Sequence, residues 1–125
     1  MTTGKKTTKQ AEALYEEAMH LRELRKYSEA IDKLTGASLI LPADGAIWGV
    51  LGATYRDADD LPNAIRCFQK SVELLPRSER ASLGLFHAKM QSGDVEGAFC
   101  EMKRFLANST SEEYSRLLQE INDEV

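Results

Sequence analysis

The sequence predicts an all-α fold, a solenoid of three helix-turn-helix units closed by a seventh helix, and three observations carry that prediction. Equivalent residues recur at one period: Pro42 and Pro76 stand 34 apart, as do Ala30, Ala64 and Ala98. Between them the apolar residues fall at intervals of three and four, the spacing of one buried helical face. In the middle unit Trp48, Leu51, Gly52, Tyr55, Ala64, Phe68 and Pro76 keep the spacing W-x2-L-G-x2-Y…A-x3-F…P,.

Each element follows from local signals. Residues 1–8 carry Lys5 and Lys6 without an acid and read, with Lys9 at their edge, as a short flexible basic tail before a single domain over 9–125,. From about Lys9 to Leu24, Ala11, Leu14, Tyr15, Ala18, Met19 and Leu21 form the first helix, broken by Arg25-Lys26-Tyr27. Ser28 is placed to cap the second, whose inward face is Ala30, Ile31, Leu34, Ala37 and Ser38 and which closes at Leu41-Pro42,. Asp44 caps the third, which runs to about Asp57. The fourth opens at Asp60-Leu61-Pro62, where a proline near the first turn lacks only an N–H that would have no helical partner. It presents Ala64, Ile65, Phe68 and Val72. The fifth starts after Ser78 and stops at Ser92-Gly93, a glycine suited to a left-handed closing turn,. The sixth carries Phe99, Met102, Phe105 and Leu106 inward. Thr110 and Glu113 have capping-box spacing, and Tyr114, Leu117, Leu118 and Ile121 stripe a seventh helix over 111–123 that covers the open end of the stack,. The units span about 11–44, 45–78 and 79–110.

Composition narrows function. A net charge of -4, with cations scattered among acids, offers no basic footprint for nucleic acid,. No secretory-type apolar run opens the chain and no later run approaches the roughly 18 apolar residues that span a bilayer, so a cytoplasmic protein without membrane insertion is expected. Cys67 and Cys100 lie 33 apart in apolar helical patterns with no C-x-x-C spacing, and read as two buried thiols rather than a disulfide or metal pair,.

These spacings resemble the tetratricopeptide repeat family over about residues 9–124. The resemblance implies a right-handed solenoid in which Gly52 and the alanines at 30, 64 and 98 allow close helix approach, with Trp48, Tyr55 and Phe68 structural. It departs in the outer units, with Leu21 for an aromatic in the first, and Ser82 for the tryptophan and Thr110 for the proline in the third. By the family's pattern, the first helices of successive units line a concave groove for another protein. The resemblance places Glu12, Tyr15, Met19, Arg22 and Glu23 of the first unit there. With them come Ala46, Gly49, Ala53, Arg56 and Asp57 of the second, and Arg80, Leu83, His87, Met90 and Gln91 of the third. It thus implies a non-catalytic adaptor or chaperone-like module for a short, partly apolar segment, with Tyr15, Met19, Leu83 and Met90 as apolar contacts and Arg22, Arg56 and Arg80 orienting the ligand.

Some family members grip acidic chaperone tails with a clamp of lysine, asparagine and arginine. The matching positions here are Tyr15, Met19, Val50, Arg80 and Gly84, with one suitable donor among the five. Two other readings remain: a type III secretion translocator-type chaperone, similar in size and groove polarity, and a self-assembly role, since a basic start and acidic finish permit contact between copies. Catalysis would need a nucleophile with a base, paired carboxylates or a metal set. The sequence indicates none, and no cofactor. His20 and His87 read as solvated or partly packed, and Asp57, Asp59 and Asp60 as capping and solvated, without the glycine and distal glutamate of a calcium loop.

Overall fold

The computed structural model describes residues 3–124. Seven helices follow in order, α1 (Thr3–Glu23), α2 (Tyr27–Ile40), α3 (Gly45–Asp57), α4 (Leu61–Leu74), α5 (Glu79–Ser92), α6 (Val95–Leu106) and α7 (Glu112–Glu124), with no strand among the described residues. Three hairpins, α1 on α2, α3 on α4 and α5 on α6, stack through α2 on α3 and α4 on α5 to give the right-handed solenoid.

The 34-residue period is written into the backbone. Arg25 (φ 60°), Asp59 (φ 63°) and Gly93 (φ 91°) all adopt the left-handed conformation where the first helix of each hairpin ends. The N–H of the following residue, Lys26, Asp60 or Asp94, donates to the carbonyl of Leu21, Tyr55 or Lys89 at 2.9 Å in each case. This closure satisfies carbonyls that a helix end otherwise leaves without partners. The glycine signal finds Gly93 and misses Arg25 and Asp59, which take the same turn without glycine.

The four helix starts of α3 to α6 carry side-chain caps, three of them where the sequence reading placed the helix starts. Asp44 accepts from the N–H groups of Ala46 and Ile47, Asp60 from Asn63, Ser78 from Ala81 and Asp94 from Gly97. Three boundaries differ. Helix α2 begins at Tyr27 after Lys26, which makes no side-chain cap, so Ser28 lies inside the first turn. Ser111 caps α7, its Oγ accepting from the Tyr114 N–H at 3.1 Å, so the Thr110 and Glu113 capping box does not form. Helix α1 begins at Thr3, and residues 3–8, expected as a tail, have helical backbone. Extending a helix already anchored by packing adds one hydrogen bond per residue without a new nucleus. Residues 1–2 of that tail lie outside the described residues.

The core forms layers between neighbouring hairpins. Ala18, Ala30, Leu34, Leu51 and Cys67 join the first to the second, and Ala64, Phe68, Val72, Ala81, Leu85 and Ala88 join the second to the third. Ala30, Ala64 and Ala98 are fully buried. The Phe68 ring occupies a slot between Gly52 and Gly84: a Cβ built on Gly52 would stand 3.0 Å from ring carbons, and one on Gly84 would overlap the ring. A buried hydrogen bond from the Ser71 hydroxyl to the Gly45 carbonyl, 2.8 Å, fixes α4 against the start of α3. Cys67 is buried as expected; Cys100 is exposed, because it falls on the solvent side of α6 opposite Met102 and Phe105.

Candidate functional site: a groove across the first helices

Helices α1, α3 and α5 present one face each to a shared open cavity of about 860 Å³. Ten of the fifteen nominated residues line it: Tyr15, Met19 and Arg22 from α1, Ala46, Gly49, Ala53 and Arg56 from α3, and Arg80, Leu83 and His87 from α5, whereas Glu23, Asp57 and Gln91 do not. A side chain three or four positions on returns to the same helical face, which is how one motif places residues from three helices together. Glu12 instead lines a smaller cavity of about 250 Å³ with Ala11, Leu41 and Asp44. Met90, in the last turn of α5, is 38% exposed and outside the groove lining.

The middle of the groove is low because Gly49 and Ala53 have little or no side chain. A Cβ on Gly49 would sit 3.2 Å from the Ser71 hydroxyl, so the helix already lies against α4. Met19, Leu83 and Tyr15 stand as half-buried apolar walls, and His87 is half-buried between the same helices. Phe68 and Ser71 of α4 show through the floor, and Glu113 of α7 reaches one edge. None of these three is nominated by the sequence. Phe68 reads as core from its motif position, and Glu113 enters only through the approach of α7.

The three arginines are not equivalent. Arg22 donates to the Asp57 carboxylate at 3.0 Å across α1 and α3, so part of its capacity is already used. The Arg56 guanidinium lies over the Phe68 ring, 5.6 Å from its centre, where cation–π attraction holds the side chain without engaging its outer N–H donors,. Arg80 is exposed and pairs with no carboxylate among the described residues.

A second polar cluster lies behind the groove. The Glu101 carboxylate, 6% exposed, accepts from the Ser82 hydroxyl at 2.6 Å and from Arg104 Nε and Nη2 at 2.8 and 2.7 Å. Arg104 also donates to the Pro76 carbonyl, and Ser82 Oγ lies 2.7 Å from the Tyr114 hydroxyl. Burial pushes the Tyr114 phenol up to about 12, while the hydrogen bond to Glu101 raises Arg104. Ser82 occupies the position Trp48 has in the second unit, and the Tyr114 ring, edge-on to Phe86, fills that space from α7. The cluster is a clasp: each charged or hydroxyl group has its partner, and it ties α5, α6 and α7 together. Sequence reasoning missed it because Glu101 and Arg104, three apart, look like an ordinary surface pair.

The three clustered aspartates are each occupied locally: Asp57 pairs with Arg22, Asp59 takes the left-handed turn and Asp60 caps α4. Among the described residues no group of His, Cys, Asp and Glu is placed to hold a metal ion, and no helix is long and apolar enough to cross a membrane.

No family model matches the chain. Protein FlbA of Caulobacter vibrioides is 28% identical over 102 residues, 82% of this chain but 17% of that protein, so the chain spans about a sixth of the length of this relative. Solved structures agree in fold. The first TPR of Spaghetti (RPAP3), bound to the HSP90 peptide SRMEEVD, superposes with a TM-score of 0.80 at 20% identity, covering 94% of each chain. The Sgt2 TPR domain from Aspergillus fumigatus gives 0.77 at 22%, over 91% of this chain and 78% of that one. MamA gives 0.74 at 22%, over 90% and 63%. The architecture is that of a tetratricopeptide-repeat solenoid.

Proposed function

We propose that this tetratricopeptide-repeat chain is a binding module that holds a short, partly apolar segment of another protein in its concave groove. The observation that carries the reading is the convergence of ten nominated residues, from three helices, on one open cavity. Met19 and Leu83 receive the apolar side chains of the segment, and Gly49 and Ala53 leave room for its backbone. Arg56, steadied on Phe68, and Arg80, in no ion pair among the described residues, donate to its carbonyls or acidic groups,. Arg22 shares its donors with Asp57 and contributes less.

The solenoid bound to an HSP90 peptide is similar to this one in fold. Its ligand class does not transfer readily, because the clamp positions here are Tyr15, Met19, Val50, Arg80 and Gly84, with one cation among them. Apolar contact then outweighs charge in partner choice.

The reading is tested by capture from native lysate, wild type beside a Met19→Glu/Leu83→Glu variant whose helicity is checked by circular dichroism, followed by calorimetry on fragments of whatever is retained. Loss of the partner with the variant supports the groove. Equal capture by both proteins moves the interaction elsewhere and ends the proposal.

A further inference from the structure

On the flank of α4 turned away from the groove, Pro62, Ile65, Arg66 and Lys70 line a shallow trough of about 490 Å³, with Trp48 and Lys89 of the neighbouring helices also contributing. The three cations take part in no ion pair among the described residues, and Glu73 is the one carboxylate of the lining. In a chain of net charge -4 this is a local reversal of sign, laid beside an aromatic ring, a proline and an isoleucine.

Helix α7 has the opposite character. Glu112, Glu113, Glu120, Asp123 and Glu124 oppose Arg116 alone, a net of -4 over the helix. Tyr114 is fully buried, but Leu118 and Ile121, one and two turns further on, are 38% and 40% exposed, so the apolar stripe outruns the surface it covers.

We propose that the trough is the docking site for α7 of a second copy of this chain. Charge complementarity selects this occupant: a basic and apolar trough meets an acidic helix with an uncovered apolar stripe, and Glu120 flanks Ile121 where the trough offers Arg66 and Lys70. Lengths agree as well, since thirteen residues of α7 span about 20 Å and the stretch Pro62 to Glu73 about 18 Å at the helical rise,. The two surfaces are different parts of one molecule, so the contact is heterologous and makes rings or open chains rather than a closed two-fold dimer. It uses none of the groove arginines and is independent of the groove reading.

The test is sedimentation velocity on the whole chain over a wide concentration series. Wild type forms species larger than a dimer, and raising the ionic strength from about 0.05 to about 0.5 M weakens them as screening lengths shorten several-fold. Arg66→Glu/Lys70→Glu and Leu118→Glu/Ile121→Glu, all at exposed or half-exposed side chains, each lower association at least about tenfold, with unchanged circular dichroism. Mixed together, the two variants restore one intact contact and give a one-to-one dimer and nothing larger. A wild type that stays monomeric throughout overturns the proposal. So does association that survives both variants, or that is abolished only by reversing Lys5, Lys6 and Lys9.

Discussion

At the scale of single residues, volume and burial decide. Gly84 has no room for a methyl group against the Phe68 ring, and overfilling a packed core costs about 1–3 kcal/mol,. Gly84→Ala is therefore expected to lower the melting temperature by several degrees, read by calorimetry, and a neutral result would mean that the ring can shift. Burial also acts on ionisable groups. The Cys67 thiol is pushed up from 9.0 to about 11 and the Tyr114 phenol from 10.0 to about 12, so the folded state keeps both neutral where the unfolded chain ionises them. That contribution is complete below pH 9 and is lost as pH rises through 11 for Cys67 and through 12 for Tyr114,. The urea midpoint should fall on moving from neutral pH to about pH 10.5, and less so in Cys67→Ala, which has no thiol to ionise. With a thiol reagent at neutral pH, Cys100 reacts promptly and Cys67 only on unfolding,. Sequence spacing revealed the small and aromatic core residues because only their size matters. It could not separate the two cysteines, since both lie in apolar stretches and a modest rotation about the helix axis decides which one meets solvent.

At the scale of elements, the hairpin turns carry local strain that the rest of the fold tolerates. A non-glycine residue in the left-handed region costs roughly 1–2 kcal/mol, partly offset by the greater freedom glycine loses on folding. Arg25→Gly should thus stabilise the first hairpin by about 0.5–1 kcal/mol, measured as a shift in denaturant midpoint with an unchanged slope. The neighbouring Lys26, an N-cap without a side-chain acceptor, offers a second gain: Lys26→Asp should add about 1 kcal/mol by capping α2,. Failure of either substitution would show that the turn is held by more than its own backbone. Caps at Asp44, Asp60 and Ser78 were legible because a short oxygen-bearing side chain before an apolar helical run has few other uses. The turns at Arg25 and Asp59 were not, since neither residue type announces a positive φ.

At the scale of the molecule, a solenoid is stabilised between neighbours, so damage stays local. Tyr114 anchors α7 through Phe86, Phe105 and the Ser82 hydroxyl, with Leu117 of the same helix packed against that cluster. Tyr114→Ala should make the amides of α7 and α6 exchange much faster by hydrogen–deuterium mass spectrometry while those of α1 to α3 stay protected. Uniform loosening would mean that the stack melts as one unit. The groove was readable because one period transfers a position from helix to helix. It failed at its margins: Glu12 turns to the cavity beside Leu41, and Met90, 38% exposed, lies outside the groove lining. The aromatic slot between Gly52 and Gly84 also sets a distance. A benzene ring has a fixed thickness, so Phe68 acts as a shim that gauges the distance between α3 and α5 and with it the aperture offered to a guest. Swapping the shim for a thinner aliphatic spacer would retune the calibre of the channel while every rim residue kept its identity.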